Sequence, residues 1–486
     1  MSLSRRAMLA GAASTMATAT FANAPLTSPR PRPRVANTGS AARIIGRAGL
    51  SGDVGFVIAD ARSGDVLEAV SPDLDLPPAS VAKAVTALYA IETLGASFQY
   101  ETRLLADGPC IDGVVDGNLI LVGGGDPNLV TDQLFELAEG LKATGLREVN
   151  GDFLVWDGGL TNLDEIDPTQ LDHVGYNPTV TGLNLNFNRV HFEWKRAGGQ
   201  YTTALDARSA AHRPVVTTAR MRVVDRSAPV FTYRSVNSVD EWTVARGALN
   251  NGGSRWLPVR NPALYAGEVF STFAESNGII LKAPREVTDL PRGQELTQIK
   301  SVPLDRMMRD MLRFSTNITA EAAGLSATAA RSGQNRSLRT SAVGMNHWVQ
   351  ARTGALPNFI DHSGLGDASR IAAGDMVQFL TADGVLSTLR PLMKQIDIVD
   401  RNRNVIRKHP GQVLAKTGTL NFVSSLAGYL TTAGGRNVAF AFFGADLEAR
   451  EVGKLAGNES PRGASSWNRQ AKALQQQLLQ NWIRWG

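Results

Sequence analysis

The order and spacing of three short motifs constrain this chain more than any other feature of its sequence. The motifs are Ser80-Val81-Ala82-Lys83, Ser315-Thr316-Asn317 and Lys416-Thr417-Gly418-Thr419. Ser315 follows Ser80 by 235 positions (315 minus 80), and Lys416 follows Ser315 by 101 (416 minus 315). With 486 residues, the chain is long enough for two or three domains, or for one core domain that carries insertions.

The composition excludes several classes of protein and of site. Hydrophobic residues make up 43% of the chain and charged residues 20%, so the chain can bury a large core, and neither disorder nor a collagen repeat fits. The single cysteine, Cys110, cannot close an intramolecular disulfide, and the six histidines are scattered without metal-ligand spacing. We therefore expect no metal site and no cofactor.

The first 24 residues have the pattern of a cleavable export signal. Arg5 and Arg6 precede an apolar run of small residues, and Ala22-Asn23-Ala24 has the form of a cleavage site. The paired arginines resemble a twin-arginine signal, which implies export in the folded state and a periplasmic location. The alternative is a short membrane anchor, but the stretch is too short and too rich in Ser and Thr to cross a bilayer comfortably. We expect membrane association to be peripheral at most.

The excess of positive charge lies mainly at the front of the chain. The formal net charge is +5, and residues 1–24 contain two arginines and no acid, so a chain that starts at Pro25 carries +3 (5 minus 2). Residues 25–40, rich in Pro and Arg, are predicted to be a stiff linker, and their three arginines account for the remaining positive charge. The folded body is close to neutral, and we expect no nucleic acid as a partner.

Ser80 and Lys83 lie at the predicted start of a helix. Two strands, residues 54–59 and 66–70, are predicted to precede it. Pro77 and Pro78 end the preceding structure, and an apolar stretch continues to Leu94. Residues three positions apart share one face of a helix, and a lysine with a lowered pKa can take the proton of a serine hydroxyl to make it a nucleophile. A serine that caps the helix beside a solvated lysine would give the same pattern.

Ser315 and Asn317 lie in a predicted turn, after an amphipathic helix and before an Ala-rich one. Side chains in such a turn can point into a cleft. The same Ser-x-Asn pattern begins at Ser235, in a polar loop, and at Ser466, at the entry to the C-terminal helix. A simple capped helix start is the alternative interpretation of Ser315.

The third motif lies on a predicted strand, residues 413–420, followed by two more strands joined at Gly434-Gly435. Gly418 would let another backbone approach closely, Lys416 supplies a cation, and the backbone N–H of Thr419 is a free donor if the strand borders a cleft. An ordinary edge strand that carries a lysine is the alternative.

Together and in this order, the three motifs are those of serine β-lactamases and penicillin-binding proteins. The long first gap distinguishes the chain from compact β-lactamases. It resembles the D-alanyl-D-alanine carboxypeptidase and endopeptidase family of class C, low-molecular-mass penicillin-binding proteins (peptidase family S13, penicillin-binding-protein-4 type). The resemblance extends to Gly123-Gly-Gly-Asp-Pro127, Tyr176-Asn-Pro-Thr-Val180, Ala320-Glu321, Asp361-His-Ser-Gly-Leu365 and Ser424-Ser-Leu-Ala-Gly428.

The resemblance implies an α+β fold. It consists of a transpeptidase-like domain, an antiparallel five-stranded sheet flanked by helices, into which two nested accessory domains are inserted. The expected catalytic domain comprises residues 41–97 and 298–486. The first expected accessory domain comprises residues 98–187 and 263–297. The second, which is β-rich, comprises residues 188–262 and is nested within the first.

The resemblance also implies the roles of the motif residues. Ser80 would be the acylated nucleophile, Lys83 its base, and Ser315 and Asn317 the other catalytic residues. Lys416, Thr417, Gly418 and Thr419 would bind substrate, and the backbone N–H groups of Ser80 and Thr419 would form the oxyanion hole. The expected activity is that of a serine-type D-Ala-D-Ala carboxypeptidase, a DD-endopeptidase or both. It would act on peptidoglycan stem peptides in cell-wall remodelling, with β-lactams as covalent inhibitors.

Two residues depart from the family pattern. Thr316 stands where Asp or Asn is usual, and His362 where Gly is usual. We expect both to alter rates or preference while the chemistry is kept. The alternatives left open are a β-lactamase or esterase of the same fold, and a catalytically vestigial protein that binds the cell wall.

Overall fold

The computed structural model describes residues 39–400, 402–455, 457 and 459–485. The predicted signal peptide, and all of the predicted linker before residue 39, lie outside these residues. The helices are α1 (Ser40–Ala48), α2 (Ala82–Leu94), α3 (Thr131–Ala143), α4 (Pro262–Ser276), α5 (Leu304–Phe314), α6 (Asn317–Ser332), α7 (Leu338–Thr353), α8 (Ala373–Leu380), α9 (Val385–Leu389), α10 (Leu447–Leu455) and α11 (Ala464–Ile483).

The strands fall into several sheets along the chain. They are β1 (Asp53–Asp60), β2 (Val66–Val70), β3 (Asp75–Leu76), β4 (Glu101–Ala106), β5 (Cys110–Ile111), β6 (Val114–Val115), β7 (Leu119–Gly123), β8 (Glu148–Val149), β9 (Phe153–Trp156), β10 (Arg189–Ala197), β11 (Gln200–Asp206), β12 (Ala219–Val224), β13 (Phe231–Val236), β14 (Val239–Ala245), β15 (Gly252–Pro258), β16 (Arg285–Glu286), β17 (Gln294–Lys300), β18 (Ile371–Ala372), β19 (Lys394–Gln395), β20 (Gln412–Leu420), β21 (Val423–Thr431) and β22 (Asn437–Ala445).

The largest sheet has the order β19-β20-β21-β22-β1-β2 and is antiparallel throughout. Its five long strands are the five that the sequence predicted. The sixth, β19, has only two residues and pairs with Leu414 and Ala415 at the edge. The sequence did not indicate β19, because a two-residue strand has no periodicity that a sequence pattern can show.

Helices cover both faces of this sheet. Residues 55–59 of β1 are buried without alternation, as expected for a strand with a helix layer on each side. On one face, α11 places Leu474, Leu478 and Trp482 against the sheet, and α1 packs beside it. On the other face, α8 contacts β22 and β1.

Helix α2 is the central helix of the helix layer that carries Ser80. All nine residues from Ala82 to Ala90 are buried, so this part of the helix has no solvent face. It is surrounded by α5, α6, α7 and α9. Helix α5, by contrast, has the predicted apolar stripe, and its buried residues are Leu304, Met307, Met308, Met311 and Leu312.

The inserted part of the chain, as the sequence predicts it, lies between α2 and α5. A mixed sheet of order β16-β9-β7-β4-β17 lies next to α3 and α4, and two three-stranded sheets, β11-β10-β15 and β12-β14-β13, follow within residues 189–258. One hydrophobic cluster runs through both parts and includes Phe153, Phe270, Phe192 and Trp242. The domain boundaries stay predictions, and the one at 297/298 falls inside β17.

None of the helices within the described residues is long and apolar enough to cross a membrane.

Replacing Trp482 should strongly destabilise the core beneath the largest sheet. Its ring packs 5.5 Å from that of Phe56 and 5.9 Å from that of Phe440, measured between centroids. We expect Trp482→Ala to lower the free energy of unfolding by about 3–5 kcal/mol because it opens a cavity in the core. Chemical denaturation should show this loss, whereas Gln477→Ala, at an exposed position on the same helix, should stay within about 0.5 kcal/mol of wild type. Equal effects of the two substitutions would contradict this account of the core.

Candidate active site

Ser80 lies in a single 3-10 turn, Ala79–Val81, that leads directly into α2. The side chain is half-buried. Strand β20 passes very close to this turn: a Cβ on Gly418 would lie 2.6 Å from the carbonyl oxygen of Pro78 and 3.1 Å from the backbone nitrogen of Ser80. Glycine at position 418 is therefore what allows the strand and the serine turn to touch.

Lys83 is completely buried one helical turn after Ser80. Its Nζ lies 2.9 Å from Ser80 Oγ, 2.7 Å from Asn317 Oδ1 and 2.7 Å from the carbonyl oxygen of Ser363. The amide and carbonyl oxygens can only accept hydrogen bonds, whereas a serine hydroxyl can also donate. A neutral amine has two N–H groups for the two obligate acceptors, and its lone pair is then left for the Ser80 hydroxyl.

Burial lowers the pKa of Lys83 to about 8, while the nearby carboxyl groups of Glu321 and Asp361 act in the opposite direction. Both carboxyl groups are buried, and burial raises the pKa of each. Glu321 accepts hydrogen bonds from the backbone N–H groups of His362 and Ser363, at 2.9 Å each. The segment that begins at Asp361 thus covers Lys83 and, through Glu321, is held in place over it. The sequence analysis did not assign this role.

Ser315 and Lys416 face each other across the site. Ser315 occupies the predicted turn between α5 and α6, in a left-handed conformation with φ of 63°. Lys416 Nζ donates to Ser315 Oγ at 2.9 Å and to the carbonyl oxygen of Thr417 at 2.7 Å. Burial holds the pKa of Lys416 well below its usual value, and Lys83 lowers it further whenever Lys83 is protonated.

The side-chain amide of Asn317 is oriented by the inserted part of the chain. Its Nδ2 donates to the carbonyl oxygen of Tyr176 at 2.8 Å, which leaves Oδ1 to face Lys83. The loop that carries Tyr176 is held by Arg260, whose guanidinium donates to the carbonyl oxygens of Asp164, Asn177 and Asp172 at 2.7, 3.2 and 3.1 Å. No sequence signal marked Arg260, because its role depends on contacts with backbone oxygens.

The outer edge of β20 is open beside Thr419. The N–H group of Ile396 donates to the carbonyl oxygen of Val413 at 2.9 Å, so the backbone groups of Val413 point toward that edge. Residues an even number of positions apart in a strand point the same way, and Thr419 therefore directs its N–H outward as well. Strand β19 ends before this point, and no other described strand pairs with that edge of Thr419.

A cavity of about 480 Å³ opens over these groups. Its lining includes Ser80, Ser315, Asn317 and Thr419, together with Tyr176 from the inserted part. Lys83 and Lys416 lie behind it, buried. Thr417 and Gly418 line a neighbouring cavity instead, which adjoins the first at Thr419, and the side chain of Thr417 is exposed. Among the described residues, no cluster of His, Cys, Asp or Glu has the arrangement of a metal site.

The two departures from the family pattern lie in different environments. Thr316 is half-buried in the turn before α6. His362 is fully buried, and its imidazole ring points away from the cavity into the helix layer, where Nε2 lies 2.7 Å from Ser341 Oγ. Burial lowers the pKa of His362 to about 3, so the ring is neutral. Its bulk fits because residue 324 on α6 is glycine: a Cβ there would come within 2.1 Å of the ring.

Residues 41–471 match the family model described as "D-Ala-D-Ala carboxypeptidase 3 (S13) family". The chain belongs to this family. It is therefore a serine-type D-Ala-D-Ala carboxypeptidase, a hydrolase of cell-wall remodelling.

Curated relatives and a solved structure agree with the family model. D-alanyl-D-alanine carboxypeptidase DacB of Haemophilus influenzae is 26% identical over 411 residues, which cover 80% of this chain and 85% of the relative. D-alanyl-D-alanine carboxypeptidase of Actinomadura sp. strain R39 is 25% identical over 472 residues, covering 84% and 83%. The crystal structure of penicillin-binding protein 4 from H. influenzae superposes with a TM-score of 0.72 at 20% identity, covering 92% of this chain and all of the other. The last comparison establishes the fold, including the extra domains.

The contact between Gly324 and His362 can be tested by a double-mutant cycle. We expect Gly324→Ala to lower the free energy of unfolding by about 1–3 kcal/mol, because the added methyl group overlaps the imidazole ring. In a His362→Gly background the same substitution should cost nothing or stabilise by up to about 1 kcal/mol, since alanine favours the helix. Denaturant unfolding of the four proteins measures the coupling, and an equal cost in both backgrounds would refute it.

Proposed function

We propose that Ser80 is the nucleophile of this carboxypeptidase and that neutral Lys83 is its general base. The observation that carries the proposal is the set of three contacts at Lys83 Nζ. Two of its partners can only accept hydrogen bonds, and the third is the hydroxyl to be deprotonated. A positioned base within 2.9 Å of the hydroxyl satisfies the geometric requirement for proton transfer.

The reaction is acyl transfer through an acyl-serine. Ser80 Oγ forms a C–O bond to the carbonyl carbon of the penultimate D-alanine, and its proton passes to Lys83. The C–N bond then breaks, and the departing amine receives a proton through Ser315, which lies beside Lys416. Water hydrolyses the acyl-serine ester, which releases the shortened peptide and restores the serine.

Two further parts of the site support this reaction. The backbone N–H groups of Ser80 and Thr419 form the oxyanion hole, in which each donor is typically worth about 2.7–4 kcal/mol. Lys416, Thr417 and Thr419 bind the terminal carboxylate of the substrate, and Gly418 keeps their strand against the serine turn. Asn317 fixes Lys83 and binds a substrate amide.

The substrate is the peptide part of peptidoglycan, and β-lactams acylate Ser80 in the same way. The family and the relatives' names support this substrate class. The export pattern of residues 1–24 supports a periplasmic location. The accessory domains, residues 98–187 with 263–297 and residues 188–262, contribute the Tyr176 loop to the site, which supports a role in substrate positioning.

The test of the nucleophile is mass spectrometry of the intact protein after exposure to penicillin. Wild type should gain one penicillin mass, and Ser80→Ala should gain none. Ser235→Ala is the matched control, since Ser235 belongs to the Ser-x-Asn sequence outside the site and is exposed. An adduct on Ser80→Ala would exclude Ser80 as nucleophile, and a wild type without any adduct would favour the vestigial wall-binding alternative. Rapid turnover of the drug without a stable adduct would favour a β-lactamase.

The protonation state of Lys83 predicts how acylation depends on pH. Because only the neutral amine can accept the proton of Ser80, the rate should rise as the pH increases through about 8 and then level off. Lys83→Arg should abolish acylation, since a guanidinium does not lose its proton in this range. Stopped-flow measurements with a fluorescent penicillin between pH 6 and 10 would show the profile. A rate independent of pH over that interval would rule out Lys83 as the base.

A further inference from the structure

A second cavity, of about 740 Å³, lies between the edge of β20 and α11. We call it the cationic groove. Its lining comprises Ile44, Ile396, Val399, Asp400, Arg403, Thr417, Gly418, Thr419, Ser424, Ser425, Leu426, Arg469, Lys472, Ala473, Gln475, Gln476, Gln477, Gln480, Asn481 and Arg484. Its volume falls within the range of about 300–1,000 Å³ that is typical of ligand sites.

The charge of the groove is strongly positive. Arg403, Arg469, Lys472 and Arg484 line it, against the single carboxylate of Asp400. All four cationic residues are exposed, and none of them forms an ion pair with another residue in the described part of the chain. The protein as a whole carries 50 basic and 45 acidic residues, so four cations against one carboxylate is a local excess. Clefts lined by one sign of charge attract ligands of the opposite sign.

The groove begins at the strand that carries the third motif. Thr417, Gly418 and Thr419 line its inner end, and Thr419 also lines the cavity over Ser80. The terminal carboxylate of the substrate is proposed to bind at these threonines. A ligand group attached beyond that carboxylate would therefore enter the cationic groove.

We propose that the cationic groove binds the stem peptide that leaves when a peptidoglycan cross-link is cut. This inference rests on the proposed function and specifies its substrate as a cross-linked peptide. When a terminal D-alanine is removed, the leaving group is one small amino acid, which needs no groove of this size. When a cross-link is cut, the leaving group is the amine of a second stem peptide, whose additional carboxylates match the cations.

The chemistry is the same acyl transfer with a larger leaving group. Ser80 Oγ forms the ester to the D-alanine carbonyl carbon, the C–N bond of the cross-link breaks, and the released side-chain amine takes the proton. Water then hydrolyses the ester. The groove takes no part in these bond changes. Its only role is to bind the leaving peptide.

The experiment compares two substrates, an amide-cross-linked muropeptide dimer and a monomeric pentapeptide. The variant is Arg469→Gln/Lys472→Gln, which removes two exposed charges from one turn of α11. We expect the ratio of kcat/KM for the dimer to kcat/KM for the pentapeptide to fall about tenfold, through a higher KM for the dimer. Added salt should raise the wild-type KM for the dimer and affect the variant less, since salt screens exposed charges.

The matched control is Arg309→Gln, at an exposed position on α5 outside the groove lining, which should leave the ratio unchanged. An unchanged ratio in the double variant, or an equal loss in the control, would overturn the proposal. A wild type that trims the pentapeptide but does not cut the dimer would also overturn it while the carboxypeptidase mechanism stands. Failure of the proposed function itself would be recognised separately, as a wild type that forms no penicillin adduct.

Discussion

The burial of Lys83 against two obligate acceptors is the constraint on which the rest of the site depends. A charged amine in this position would lose its hydration, and burial therefore favours the neutral form. The surrounding groups are arranged to hold that form in one orientation. Asn317 and Ser363 present oxygens to Lys83, so that a neutral amine has its lone pair left for Ser80. In the proposed mechanism, it is this environment that lets Lys83 act as a base.

Close backbone contacts hold this arrangement together, and glycines permit them. Gly418 lets β20 touch the serine turn. Gly364, with φ of 74°, lets residues 361–365 pack against the same turn. A Cβ on residue 364 would lie 1.9 Å from the carbonyl oxygen of Ala79 and would prevent this contact. Three segments far apart in sequence thus meet without intervening side chains. Since interiors are close-packed, the addition of one methyl group at these points would displace the backbone around Ser80.

The inserted part of the chain is attached to the site by specific contacts. The Tyr176 carbonyl orients the Asn317 amide, and Arg260 holds the loop that presents it. A second contact joins Arg255 and His173 of the insertion to Glu459, on the rim of the cavity, at 3.0 and 3.3 Å. The insertion therefore forms part of the cleft wall. This arrangement explains how a gap of 235 positions between two motifs is compatible with a single site.

The sequence by itself determined the five long strands, the helix that follows Ser80, the turn that carries Ser315, and the family. These features are local, since they follow from hydrophobic periodicity, turn residues and short motifs. Only the tertiary structure decided that Ser363, Glu321 and Asp361 enclose Lys83, that His362 points away from the cleft against Gly324, and that Arg260 holds the Tyr176 loop. It also separated the Thr417 side chain from the cavity over Ser80. Each of these depends on backbone carbonyl groups or on contacts between distant segments, for which one sequence carries no pattern.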